Sequence, residues 1–79
     1  MGGATLKDLR RRIDSVDKAI LALLEERMAL CRDIAEVKAD KGLPLKDPAR
    51  EAEVLARAGV FREVFREIIR LCKEVQRGA

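Results

Sequence analysis

The sequence predicts an all-α fold in which each chain supplies a long, a short and a medium helix and two chains intertwine as a homodimer. Three observations carry this reading. Apolar residues recur at alternating spacings of three and four over the first half of the chain, which is a helical period. The helix so defined is too long for a domain of 79 residues. No segment shows the period-two alternation of a strand, and no repeat or low-complexity stretch intervenes.

The first helix is expected from about Thr5 to Asp40. Leu6, Leu9, Ile13, Val16, Ile20, Leu23, Leu30, Ile34 and Val37 hold the heptad spacing, and Arg27 alone interrupts it. Leu21, Leu24, Met28 and Cys31 widen the apolar stripe, so the helix needs partners on more than one side. Asp8–Arg12 and Asp14–Lys18 stand four apart as supporting ion pairs. Such a helix is roughly 50 Å long, whereas a compact domain of this size has a radius of gyration near ~12 Å. A second chain must therefore cover the stripe.

Gly42 followed by Pro44 ends this helix. Asp47-Pro48 reads as an N-cap with proline at the first helical position, opening a short helix over about 48–57. Ala58-Gly59 is the next break. The last helix is expected over about 60–76, with Phe61, Val64, Phe65, Ile68, Leu71, Cys72 and Val75 on its apolar face. The whole of 1–79 is read as one domain.

Composition removes several function classes. The chain is 48% hydrophobic and 39% charged, which argues against disorder. It lacks a run of about 18 apolar residues for a membrane span, and no charged-then-apolar secretory leader is seen. Met1-Gly2-Gly3 resembles the start of a myristoylation motif, but Leu6 stands where a hydroxyl is required. Histidine, tryptophan and tyrosine are absent, so a serine–histidine triad cannot form and a zinc site would need carboxylates and cysteines. Cys31 and Cys72 lie far apart without a C-x-x-C motif, and read as reduced thiols of a cytoplasmic protein. The net charge of +3 is spread out apart from Arg10-Arg11-Arg12, and two phenylalanines offer few stacking platforms. Neither a nucleic-acid nor a membrane partner is expected.

A few residues break the local pattern. Arg27 on the apolar stripe is either a snorkelling or register-setting polar residue at an interface, or a buried cation suited to an anionic ligand. Lys38, eleven residues on, lies on the same helix face roughly 16 Å away; alone it is an ordinary lysine near a helix C-terminus. Gln76 continues the stripe of the last helix, either as a fraying end or as a neutral donor. Arg50 and Glu51 open the short helix, and Asp47 is explained by capping. Arg10 precedes Arg27 by 17 residues, about 25 Å, on another face. A small-molecule site using both must span two chains.

With these residues in their order, the chain resembles the all-helical chorismate mutases of the shikimate pathway. The resemblance runs from about Leu6 to Gln76. It is carried by L-R-R-R-I-D at Leu9–Asp14, A-L-L-E-E-R at Ala22–Arg27, I-A-E-V-K at Ile34–Lys38, G-L-P-L-K-D-P-A-R-E at Gly42–Glu51, and Gln76. It implies a homodimer with two equivalent sites that convert chorismate to prephenate by a Claisen rearrangement, without cofactor or metal. Arg10 from the partner chain and Arg27 would bind substrate carboxylates. Lys38 and Gln76 would flank the breaking ether oxygen, and Glu51 would hold the ring hydroxyl. Asp47, Arg50 and Cys72 would line the pocket. A pericyclic reaction needs no nucleophile, base or metal, which suits a histidine-free chain. What it needs is a flexible dianion held in its reactive conformer and stabilisation of charge growing on the ether oxygen.

Two departures stand out. Cys72 replaces a residue that is commonly small or polar in the family. Arg57-Ala58-Gly59-Val60 leaves less room than usual for a loop, so the resemblance does not fix the docking of the last helix or the placement of Cys72 and Gln76. Other readings of the same residues are an isochorismate pyruvate lyase, and a non-catalytic dimerisation or regulatory module acting with another shikimate-pathway enzyme.

Overall fold

A computed structural model describes residues 3–78. Met1 and Gly2, on which the lipidation reading rests, lie outside the described residues. The first helix, α1, spans Leu6–Asp40. It begins with a capping box: Thr5 Oγ1 accepts from the Asp8 N–H at 3.1 Å, and the Thr5 N–H donates to Asp8 Oδ2 at 3.3 Å. Asp8 thus serves the helix start, and neither expected pair, Asp8–Arg12 or Asp14–Lys18, is among the ion pairs of the described residues. The C-terminus closes as a Schellman motif, with the Leu43 N–H on Lys38 O at 2.8 Å and the Gly42 N–H on Ala39 O at 3.2 Å. Gly42 has φ +68°, a conformation that penalises a Cβ.

Helix α2 spans Pro48–Ala58. Asp47 caps it by accepting the Arg50 N–H at 3.1 Å, and Pro48 occupies the first turn without needing a donor. The chain then turns at Gly59, with φ +58°, through a single 3-10 turn at Gly59–Phe61 and enters α3, Arg62–Gln76. This turn replaces a loop, so α3 starts two residues later than the periodicity predicts. No described residue is in a strand. Among the described residues no helix is long and apolar enough to cross a membrane.

α3 packs on α1 and α2, while α1 extends well beyond them. The chain measures 61 × 23 × 17 Å, with a radius of gyration of 17.0 Å. Its surface of 6599 Å² exceeds the roughly 4,800 Å² of a compact monomer of its mass. Among the described residues only Cys31 and Ile68 are buried, and the nine heptad residues of α1 remain 43–64% exposed. The long helix therefore forms as its pattern dictates, without an intrachain core to cover it.

The cysteines correct the expectation of reduced thiols. Cys31 on α1 and Cys72 on α3 form a disulfide, with Cα atoms 5.7 Å apart across 41 residues of sequence. Distance along the chain argued against pairing, but both lie on the apolar faces by which α1 and α3 meet. Disulfides also occur inside cells, in the proteins of hyperthermophilic archaea and bacteria.

Candidate active site

Helix geometry assembles the site. On α1, Arg27, Cys31, Ile34 and Lys38 recur at spacings of three and four and share one face. The start of α2 brings Asp47, Arg50 and Glu51 opposite them, and the last two turns of α3 add Cys72, Lys73 and Gln76. Together they line a cleft of about 490 Å³, whose apolar wall includes Leu30, Val54 and Ile69. Seven of the eight residues singled out in the sequence thus meet in one cavity: Arg27, Lys38, Asp47, Arg50, Glu51, Cys72 and Gln76. Arg10 does not; it is exposed in the second turn of α1, outside the cleft lining. The short connection after α2 still places Cys72 and Gln76 in the cleft.

The cations of the cleft are not all balanced. Arg27 is half-buried and has no carboxylate partner among the described residues; its only side-chain hydrogen bond there is from Nη1 to Cys31 Sγ at 3.7 Å. Burial lowers its pKa from the ordinary arginine value, and the neighbouring Arg50 charge lowers it further. A second guanidinium facing a desolvated first one is an arrangement that an anion would relieve. Lys38 Nζ donates to the Leu45 carbonyl at 3.0 Å, which steers it toward the loop that closes the cleft. Arg50 Nη1 reaches Glu53 at 3.4 Å on the exposed side.

The remaining polar groups are fixed by neighbours. Glu51 pairs with Lys73 at 3.0 Å. Gln76 Nε2 donates to the Cys31 carbonyl at 3.2 Å, tying the end of α3 to α1. A smaller hollow of about 210 Å³ adjoins the cleft, sharing Leu45, Lys73 and Gln76 with it and adding Lys46 and Arg77. The sequence reading missed Lys73 and the Leu45 carbonyl. Lys73 precedes Gln76 by three residues, so its position on the same face of α3 was available from spacing; the carbonyl's role depends on loop geometry.

The arrangement can bind an anion with more than one carboxylate through Arg27, Lys38 and Arg50, and present Glu51 and Gln76 as neutral or acceptor contacts. The two cleft cysteines are joined to each other, so neither offers a thiolate. Among the described residues, no three histidine, cysteine or acidic side chains cluster in a way that could hold a metal ion.

Comparison with known proteins gives the family and the fold. The family model described as chorismate mutase type II matches residues 9–77. The chain is 45% identical over 74 residues to a 3-dehydroquinate dehydratase from Pyrobaculum aerophilum, covering 94% of this chain and 25% of that protein. It is 38% identical over 69 residues to a chorismate mutase from Methanocaldococcus jannaschii, covering 87% of this chain and 60% of that one. The chain therefore spans a quarter of the first relative and three fifths of the second. A solved chorismate mutase from Thermus thermophilus superimposes with a TM-score of 0.86 at 32% identity, covering 91% of this chain and 93% of that one.

Proposed function

We propose that this chain, which belongs to the chorismate mutase type II family, isomerises chorismate to prephenate as a homodimer with two composite sites. The observation that carries the proposal is the convergence of Arg27, Lys38, Arg50, Glu51 and Gln76 on one cleft with an unbalanced positive charge.

In this reading Arg27 holds one substrate carboxylate by a charge-assisted contact. Arg10 of the second chain holds the other. The two clamps fold the enolpyruvyl arm over the ring and supply the near-attack geometry that a unimolecular rearrangement requires. As the C–O bond breaks ahead of full C–C bond formation, negative charge grows on the ether oxygen. Lys38 meets it with a cation and Gln76 with an amide donor. To do so each must release its present acceptor, the Leu45 or the Cys31 carbonyl. Glu51, restrained by Lys73, accepts the ring hydroxyl, while Asp47 and Arg50 shape the wall.

Two further observations support the dimer. The exposed heptad stripe and the surface excess of roughly 1,800 Å² over a compact monomer are on the scale of an obligate interface. Arg10 also requires a second chain to reach a cleft about 25 Å away along α1. A cytoplasmic biosynthetic setting follows from the reaction. The relatives in which this segment is a minor part support a second reading, that the module also works beside another enzyme of the shikimate pathway.

The test is the loss of chorismate absorbance on adding purified protein, with Arg27→Ala in parallel. Rapid loss with prephenate as the product, strongly slowed in the variant, is expected. A folded dimer that leaves chorismate unchanged refutes the proposal, and salicylate and pyruvate formed from isochorismate would instead indicate the lyase.

A further inference from the structure

Cys31 is the most buried described residue, at 4% exposure, yet it lies in the cleft wall rather than in a separate core. Three of its contacts are with groups of the site. Its sulfur is bonded to Cys72, its Sγ receives Arg27 Nη1 at 3.7 Å, and its carbonyl receives Gln76 Nε2 at 3.2 Å. Cys72 is one helical turn before Gln76 on the same face of α3. Apart from Cys31, only Ile68 is buried among the described residues. The packing of the last two turns of α3 on α1 is otherwise through half-buried side chains.

We propose that the Cys31–Cys72 disulfide is a positioning element of the site, holding the last turns of α3, and with them Gln76, against α1 beside the cleft, and that reduction by a dithiol lowers turnover reversibly. This rests on the mutase reading. Two electrons and two protons pass from the dithiol to the protein; the S–S bond breaks, Cys31 and Cys72 become thiols, and the dithiol becomes a disulfide. Cys72 is only partly buried and lines the cleft, so a small dithiol reaches it through the cleft opening. Once the bond is open, the Gln76 hydrogen bond is the one polar contact left between α1 and α3 among the described residues, beside their apolar packing and the Lys73–Glu51 pair to α2. Small displacements of a positioning group are enough to slow a reaction roughly tenfold to a hundredfold.

The experiment compares purified protein before reduction, after dithiothreitol, and after reoxidation. Alkylation read by mass should find no free thiol before reduction and two after it. kcat should fall roughly tenfold to a hundredfold in a reduced protein that keeps its helicity and oligomeric state, and should recover on reoxidation. The Cys31→Ser/Cys72→Ser double variant should match the reduced form. In Gln76→Ala, reduction should lower kcat much less, because the group it displaces is already gone. Two free thiols in the unreduced protein, an unchanged kcat after reduction, or a loss that only follows loss of helicity overturns the proposal. If the oxidised protein does not consume chorismate, the mutase reading fails separately. Hydrogen exchange over Lys73–Gln76 then decides: faster exchange on reduction supports the tether, and unchanged exchange overturns it.

Discussion

Mixing two weakened variants should regenerate activity if each site spans two chains. Arg10 and Arg27 are 17 positions apart on one continuous helix, which separates them by about 25 Å. That is several times the length of a small dicarboxylate, so one chain cannot close both clamps on one ligand. Arg10→Ala and Arg27→Ala each remove one charge-assisted contact, worth about 1.5–3 kcal/mol, so each homodimer should lose about 10- to 150-fold in kcat/KM. In a heterodimer, one cleft combines the Arg27 of the first variant with the Arg10 of the second and is intact. The other cleft lacks both. Random assortment of equal amounts makes about half the dimers mixed, so about a quarter of all sites should be restored. Co-expression with two affinity tags, native mass determination of the mixed dimer, and turnover per dimer measure this directly. A mixed dimer no more active than the mean of its parents would refute the trans-acting arginine and the geometry behind it.

Other perturbations separate the forces at work. Leu23 is 64% exposed in the single chain. Its burial in a dimer should contribute about 1–2 kcal/mol per copy, so Leu23→Asp should shift the protein to monomer in light scattering and abolish turnover with it. Arg27→Met should lower kcat/KM as Arg27→Ala does while leaving the melting temperature unchanged or higher. The sign follows from the lowered pKa: the folded state binds this proton less tightly than the unfolded chain does, so charged Arg27 weakens folding throughout the neutral range. A large drop in melting temperature would show that Arg27 is structural. Removing the disulfide opens a loop spanning 41 residues, for which chain entropy gives about 4 kcal/mol and a melting decrease of roughly 15–30 °C; a shift of a few degrees would contradict that account.

The parts of this molecule legible in the sequence are those governed by a fixed helical rise. The heptad stripe located α1 and roughly where it starts, and the Asp47 and Gly42 signals located the start of α2 and the end of α1, because capping is a local contest for backbone hydrogen bonds. The same rise put Arg27 and Lys38 on one face before any tertiary contact was known. What spacing left open depended on how α3 docks. The 3-10 turn at Gly59–Phe61 kept Gln76 in the cleft although the connection is short, because it changes direction without needing extra residues. The disulfide escaped for a related reason: residues 41 apart carry no local signature of contact. Lys73 was visible in principle from its spacing to Gln76, but a lysine near a helix C-terminus is also what the helix dipole favours, so its position alone does not mark it as a site residue.

The site and the interface share one physical origin. On α1, Leu30 and Ile34 belong to the uncovered heptad stripe and also line the cleft beside Arg27. One helix face is therefore incomplete in two ways, with apolar area lacking a partner chain and positive charge lacking an anion. In the proposed dimer, covering the apolar area lowers the local dielectric and strengthens the repulsion between Arg27 and Arg50. An anion in the cleft relieves that repulsion and binds only where the second chain supplies Arg10. Dimerisation and ligand binding then become linked equilibria, each drawing the other forward by mass action. In that arrangement the partner helix and the Cys31–Cys72 tether would supply the preorganisation that a chain with so little buried core lacks by itself. An arginine on a heptad seam disfavours the seam by itself, and in this arrangement becomes the group that makes the dimer sensitive to whether its ligand is bound.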